Sequence, residues 1–370
     1  MADGPDVLVI GGGVFGLCCA RSCVAAGLTV ALAEAGTIGA GASATPVGVL
    51  APHDPRGWSP LKALQLAGLR ALPHVVAELE AETGLAVGYA RRGRVALLAS
   101  EAARARVPEM RAAAEIWGDD GEIRLVEPGA PALAAVAPGA APWGAAVDTL
   151  TAQIDTVAYL AALKAAVAAA GVRLLEGWRC HRLEPRAAVF DQGRIAAGQI
   201  VLASGWRTLE LAGYSVPRGA GVKGQAARLA QGLPPESPVI SQPGLYVARH
   251  PWGVAVGATS ENDWTDDGVD GLLEDVVETA RAGVPALRTA PVTARWAGIR
   301  PRPPGAGPLV GPLPDRPEIL LATGGYKIGL ALAHVIGPAV AAEILGATPA
   351  APHLPPSTRP DVHLAKLSGR

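Results

Sequence analysis

The chain has 370 residues, with 32 basic and 33 acidic side chains and a formal net charge of −1. Half of the residues are hydrophobic but only 4% aromatic, so there is material for two domains whose cores are mostly Ala, Val and Leu. Interspersed charges of both signs exclude an extended nucleic-acid surface or a polybasic membrane patch, and the four cysteines and seven histidines show no metal or disulfide spacing.

Val7–Ile10 is a short apolar run that predicts a strand buried on both faces. Gly11, Gly13 and Gly16 follow as G-x-G-x-x-G at the head of a helix running to about Ala26, where Gly27 stops it. Leu28–Ala33 reads as a second buried strand, with Glu34 at its end. Gly11 permits a tight turn, Gly13 lets a pyrophosphate approach the backbone, and Gly16 lets helix and strand pack closely. The helix start offers free N–H groups and a positive dipole end to phosphates. Glu34, eighteen residues after Gly16, is spaced to accept hydrogen bonds from an adenosine ribose and to repel a 2′-phosphate. Strand, glycines, helix, strand and acid in this order predict a dinucleotide site. NAD and FAD both fit the turn; NADP does not.

Residues 35–55 are rich in Gly, Ala, Ser and Thr, as suits a loop beside a large ligand, and Val47, Val49 and Leu50 argue against full exposure. Leu61–Gly84 has helical periodicity; Arg91–Ser100 reads as a strand, Glu101–Trp117 as a helix, and Leu125–Trp143 as irregular. Thr156–Ala170 is an amphipathic helix followed by a strand at Val172–Leu175. Asp191-Gln192-Gly193 marks a hairpin, and Ile200–Ala203 a buried strand ending in Ser204-Gly205. Val222–Leu229, Val239–Ser241, Leu245–Arg249 and Val254–Thr259, separated by Pro and Gly, suggest an antiparallel sheet. Then come a helix at Gly271–Ala282, a strand at Pro291–Ile299, a Gly/Pro-rich loop from Arg300, a strand at Ile319–Ala322, a turn at Gly324–Gly329 and a helix at Leu330–Leu345. Residues 349–370 form a Pro-rich tail, a composition that goes with partial disorder. No signal peptide or apolar span is visible, so a cytoplasmic protein without a membrane span is expected. A homo-oligomer is compatible with the sequence.

Strand-GGGVFG-helix, Glu34, the G-x-x-G-x-x-x-S of residues 36–43 and the following Gly48-Val49-Leu50 resemble the N-terminal signature of the D-amino-acid-oxidase (DAO) family of FAD enzymes. GATSENDW (257–264), WAGIRPRPPGAGPLVG (296–311) and ILLATGGYKIGLALA (319–333) continue the likeness, which is strongest to bacterial glycine oxidases. The resemblance implies a mixed α/β fold: a doubly wound Rossmann-type FAD-binding domain (1–75, 145–215 and 300–348) and a second, mainly antiparallel β substrate domain (76–144 and 216–299). It further implies that Arg300 pairs with a substrate carboxylate, since a guanidinium presents a charged fork matching one. Tyr246 would offer its hydroxyl to the same group.

Lys327 stands where glycine oxidases carry arginine, which keeps the charge but not the fork and so puts glycine itself in question. Val49 and Ala51 match pocket-wall positions. FAD contacts carried over by position, together with the glycines of the turn, are Val14, Phe15, Glu34, Ala35, Ala42, Ser43, Gly48, Val49, Cys180 and Gly205. The turn Gly325, Tyr326, Lys327, Ile328, Gly329, Leu330, Ala331 would aim backbone amides at the flavin pyrimidine. Relatives that hold flavin covalently use a Cys or His with no counterpart near Arg300 or Gly325, which implies dissociable FAD. The lysine that promotes oxygen reactivity in some relatives is replaced by Ala255. His53 and His334 are the two histidines singled out for testing. The expected activity is FAD-dependent oxidation of the C–N bond of a small amine or amino acid, by hydride transfer from Cα to flavin N5. The alternatives are an amino-acid or 2-hydroxy-acid dehydrogenase using another acceptor, an NAD-dependent dehydrogenase, and a non-catalytic flavin-binding subunit.

Overall fold

Val7–Ile10 forms the expected strand, and all four residues are buried. It lies at the centre of a six-stranded sheet, parallel to Val30–Glu34 on one side and Gln199–Leu202 on the other. Arg173–Glu176 and Ile319–Thr323 extend the sheet outward, also parallel, and Leu309–Pro312 closes one edge antiparallel. The computed structural model describes residues 4–216, 219–230, 232–348 and 352–368.

Both faces of this sheet are covered, which is why its strands read as continuous apolar runs. On one face, helices Val14–Ala25, Pro60–Thr83, Thr156–Ala169 and Gly329–Leu345 share a single core. Small residues let them approach closely: a methyl on Gly337 would lie 2.4 Å from the Cys18 carbonyl oxygen, and one on Gly68 2.2 Å from that of Ala331. Cys18, Cys19 and Cys23 are buried here as small hydrophobes. The other face is covered by the antiparallel ribbon Cys180–Glu184, Ala187–Phe190 and Gly193–Ala196, with the predicted turn at Asp191-Gln192.

A second sheet of eight strands runs in the order Val292–Pro301, Gly221–Leu229, Gly253–Gly257, Leu245–His250, Val239–Gln242, Arg94–Leu97, Ala145–Asp148, Ile123–Val126. It is antiparallel except where Val239–Gln242 meets Arg94–Leu97, and helix Leu272–Gly283 shares its core.

Several expectations are corrected. Ala145–Asp148 was grouped with the dinucleotide-binding segments but pairs within the second sheet. Val76 and Leu79 were grouped with the substrate segments but sit in the first core, because Pro60–Thr83 is one unbroken helix despite Pro73. The strand expected over Arg91–Ser100 is two short ones, Ala90–Arg91 and Arg94–Leu97, split where Gly93 turns at φ +72°. The helix expected over Glu101–Trp117 breaks at Arg106, two residues before Pro108, and ends as a 3-10 stretch. Leu125–Trp143 opens on strand residues rather than irregular chain, and Leu309–Pro312 is a strand inside the supposed loop.

The tail is ordered over 352–368. Helix Pro360–Ser368 packs beside Leu309–Pro312 and brings Leu364 into the core under the first sheet. Gly305 N–H donates to the Nδ1 of buried His363 at 3.0 Å. Residues 349–351 and 369–370 of the tail lie outside the described residues. No described helix is long and apolar enough to cross a membrane.

His334 is structural. Its Nε2–H donates to the Gly68 carbonyl at 3.0 Å across the packed helices, and burial pushes its pKa down to about 4. The folded state therefore holds it neutral while the unfolded chain protonates near its ordinary value. Stability from this site is complete above about pH 6.5 and declines as pH falls toward 4, by roughly 1–3 kcal/mol. Chemical denaturation at pH 7.5 and 5 should show the loss, and His334→Gln, which keeps a donor but does not titrate, should flatten it.

Candidate active site

The C-terminal ends of the parallel strands, where ligands bind in open α/β sheets, open onto a cavity of about 1230 Å³. Its opposite wall comes from the second sheet, through Tyr246, Ala258 and Gly298–Arg300. Every residue nominated above for cofactor or substrate contact lines this cavity except Gly16, and of the two histidines singled out only His53 does. Gly16 lies beneath the turn, where a methyl would sit 1.8 Å from the Gly11 carbonyl oxygen. Its role is to let helix meet strand, not to touch a ligand.

Two helix starts face the cavity. Val14–Ala25 begins at Gly13 with no capping side chain of its own and no acid in its first turn, and Gly329–Leu345 begins in the same way at Ile328. The first-turn amides that stay unpaired, and the positive dipole ends, suit anionic oxygens. Gly11, at φ +113°, makes the tight turn that only glycine adopts freely. Ser43 Oγ accepts the Val14 N–H at 3.1 Å, and Glu34 accepts from Gly12 N–H at 2.7 Å and Gly36 N–H at 2.9 Å. That orients the Glu34 carboxylate at the strand end, with lone pairs left for ribose hydroxyls. This donor set, one carboxylate and two helix starts without acidic side chains on one large cavity, fits FAD.

At the far end, Arg300 ends the strand Val292–Pro301 and its guanidinium lies over Gly224 of the neighbouring strand. A methyl on Gly224 would fall 2.0–2.4 Å from the guanidinium atoms, so the missing side chain is what makes the slot. Arg300 Nη1 donates to the Thr259 carbonyl at 3.1 Å, and among the described residues no carboxylate pairs with it. Burial lowers its pKa, against the opposing pull of Tyr326 and Glu261. A partly desolvated guanidinium without a counter-ion is a docking point for an incoming carboxylate.

Tyr246 and Lys327 line the same cavity. Tyr326 is held at φ +42°, a conformation a tyrosine keeps only when its surroundings enforce it. Its hydroxyl accepts from Arg302 Nη2 at 2.9 Å. Burial alone would raise the phenol, but the Arg302 and Ser260 hydrogen bonds and the Lys327 and Arg302 charges bring it below the usual tyrosine value. His53 borders the cavity with its pKa lowered by burial and by Lys62; His334 does not reach it. Among the described residues no cluster of His, Cys, Asp or Glu could hold a metal ion.

Sequence reasoning missed Gly224, Thr259 and Arg302. Only Gly224 left a signal, a glycine in mid-strand, which often marks a close approach. Gly224→Ala is expected to leave the fold intact, because the end of a flexible side chain can move aside, yet to displace Arg300 and weaken carboxylate ligands about tenfold or more. Unchanged binding with an unchanged melting temperature would remove the slot from the account.

A model of the family described as FAD dependent oxidoreductase (DAO) matches residues 6–343. The glycine oxidase of Geobacillus kaustophilus is 29% identical over 358 residues, covering 91% of this chain and 92% of that protein. The bifunctional protein ThiO/ThiG of Synechocystis sp. is 31% identical over 350 residues, 89% of this chain and 50% of that protein. The crystal structure of the Geobacillus kaustophilus glycine oxidase superposes with a TM-score of 0.85 at 25% identity, over 95% of this chain and 99% of that one. L-proline dehydrogenase from P. horikoshii, at TM-score 0.78 and 18% identity over 94% and 95%, shares the fold. A turn built for a dinucleotide, the cleft beyond it and a family match over nearly the whole length agree: the chain belongs to the DAO family of FAD-dependent oxidoreductases, and its cofactor is FAD.

Proposed function

We propose that the protein oxidises the C–N bond of a small amine or amino acid bearing a carboxylate. The observation that carries this reading is Arg300, an uncompensated guanidinium seated over Gly224 at the end of the FAD cleft. Its fork accepts a carboxylate bidentately, with Tyr246 as a second donor and the positive charge of Lys327 on the same cavity. Bound FAD supplies a hydride acceptor. The chain contributes orientation: a carboxylate fixed on Arg300 holds the neighbouring Cα–H toward the flavin and limits the geometries it samples. The oxidised substrate leaves as an imine that water converts to a carbonyl compound and ammonia or an amine. No side-chain base is required if the neutral amine reacts, so a rise in rate with pH would report substrate deprotonation.

The residues of the dinucleotide turn, with Glu34, Ser43, Gly48, Cys180, Gly205 and the 325–331 turn, are proposed as FAD contacts, and the cofactor as dissociable. The first sheet and its helices form the proposed FAD-binding unit and the second sheet the substrate unit. Glycine oxidases are among the relatives, which makes glycine, sarcosine, D-amino acids and N-methylated amines the first compounds to test. Purified protein mixed anaerobically with each should lose its flavin band near about 450 nm. A flavin that dithionite bleaches but no amine or amino acid does would defeat the reading.

A further inference from the structure

Resting on the amine-oxidation reading, in which Arg300 docks the substrate carboxylate, we propose that Thr259 is the positioning residue of that dock. Its hydroxyl takes the place of its own backbone carbonyl in the sheet, and the carbonyl so released fixes the Arg300 guanidinium.

The register of the second sheet shows the substitution. Gly221–Leu229 pairs antiparallel with Gly253–Gly257 as far as Ala226 opposite Gly257, and the next bridge joins Lys223 to Glu261 through bonds of 3.0 Å in both directions. The 257–261 side therefore carries one residue more than its partner, a β-bulge of the kind that re-aims a group beside a site. Thr259 N–H donates to the Gln225 carbonyl at 3.3 Å. A regular hydrogen-bonded pair would return a bond from Gln225 N–H to the Thr259 carbonyl. Here that N–H ends on the Thr259 hydroxyl at 2.9 Å. The Thr259 carbonyl is left to accept from Arg300 Nη1 at 3.1 Å, beside the cavity that Thr259 itself lines.

A buried polar group on the other side of the strand holds the hydroxyl in this role. Lys223 and Gln225 flank Gly224, so on an extended strand their side chains leave the face opposite the slot in which Arg300 lies. Both are buried. The Thr259 hydroxyl donates to the Glu261 carboxylate, which also accepts from Gln225 Nε2 at 3.0 Å and lies 3.7 Å from Lys223 Nζ. Asp270 closes the group, accepting from Lys223 Nζ at 2.6 Å and from Gln225 Nε2 at 2.7 Å. With its proton committed to Glu261, the hydroxyl presents only lone pairs to the Gln225 N–H. Without the hydroxyl, that N–H would turn to the other acceptor of the pair, the carbonyl at position 259, and leave Arg300 unanchored over Gly224. A residue that only shaped the sheet would leave the dock and its ligand unaffected.

The test is a double-mutant cycle on the flavin-loaded enzyme. Anaerobic flavin reduction by the carboxylate-bearing amine that bleaches the wild type fastest gives a limiting rate, a substrate Kd and their ratio. In Thr259→Val, or in Thr259→Ala should the first not fold, that ratio should fall about tenfold or more, through Kd more than through the limiting rate. Thr259→Ser, which restores the hydroxyl, should keep most of the wild-type affinity. Against an Arg300→Ala background, Thr259→Val should change the ratio by less than about twofold, because the group it anchors is gone. A loss of equal size with and without Arg300, Thr259→Ser as weak as Thr259→Val, or an unchanged Kd in Thr259→Val would overturn this inference and leave carboxylate docking standing. An unchanged Kd in Arg300→Ala alone would remove the dock and the inference with it, and reduction by no amine would overturn amine oxidation itself.

Discussion

Arg300→Ala is expected to lower kcat/KM for carboxylate-bearing substrates by about thirty-fold to several thousand-fold, the kinetic equivalent of roughly 2–5 kcal/mol. The range is wide because the loss depends on how completely closure of the site removes water from the ion pair. Its mechanism is specific. The guanidinium has no internal carboxylate to leave behind, so its removal strands no buried anion and should cost little stability. Flavin content and melting temperature should therefore stay near wild type while substrate affinity collapses. Arg300→Lys, which keeps the charge and loses the bidentate fork, should fall between the two. A kcat/KM unchanged in Arg300→Ala would remove carboxylate docking from the mechanism.

Gly16→Ala should have the opposite signature: loss of cofactor and of stability together. The added methyl would fall 1.8 Å from the Gly11 carbonyl oxygen and 3.4 Å from the Ala203 side chain. The obstacle is backbone, which cannot swing aside, so the helix must be pushed off the strand. Displacing it distorts the turn whose amides face the pyrophosphate position. A destabilisation of about 3 kcal/mol or more is expected, with protein that purifies pale or insoluble. The ratio of absorbance near about 450 nm to that of the protein, with the melting temperature, measures both effects. A yellow variant with wild-type melting would show that the turn can relax around the methyl.

The dinucleotide turn was legible because its chemistry is local. Gly11, Gly13, Gly16 and Glu34 do their work within one strand–helix–strand unit, where spacing determines geometry. Arg300 and the 325–331 turn were legible only through a family resemblance, since no periodicity distinguishes a docking arginine from a surface one. What escaped was set by contacts between distant segments. Gly224 matters because a guanidinium from a strand more than seventy residues later needs its space. Ala145–Asp148 belongs to the second sheet because Arg94–Leu97 and Ile123–Val126 flank it. The proline-rich tail folds into a helix because the first sheet offers it an apolar face at Leu309 and Leu313. Composition recorded the prolines and could not record that face.

The placement of the four thiols has a practical consequence for labelling chemistry. Burial pushes Cys18 and Cys23 up to about 12 and raises Cys19 well above the usual thiol value, so none of the three presents a thiolate to an alkylating reagent while the protein is folded. Cys180, raised to about 11 but bordering the cleft, is the sulfur a maleimide can find. Adduct stoichiometry in native protein should approach one per chain, and the rate at that single position reports whether the cleft beside it is filled.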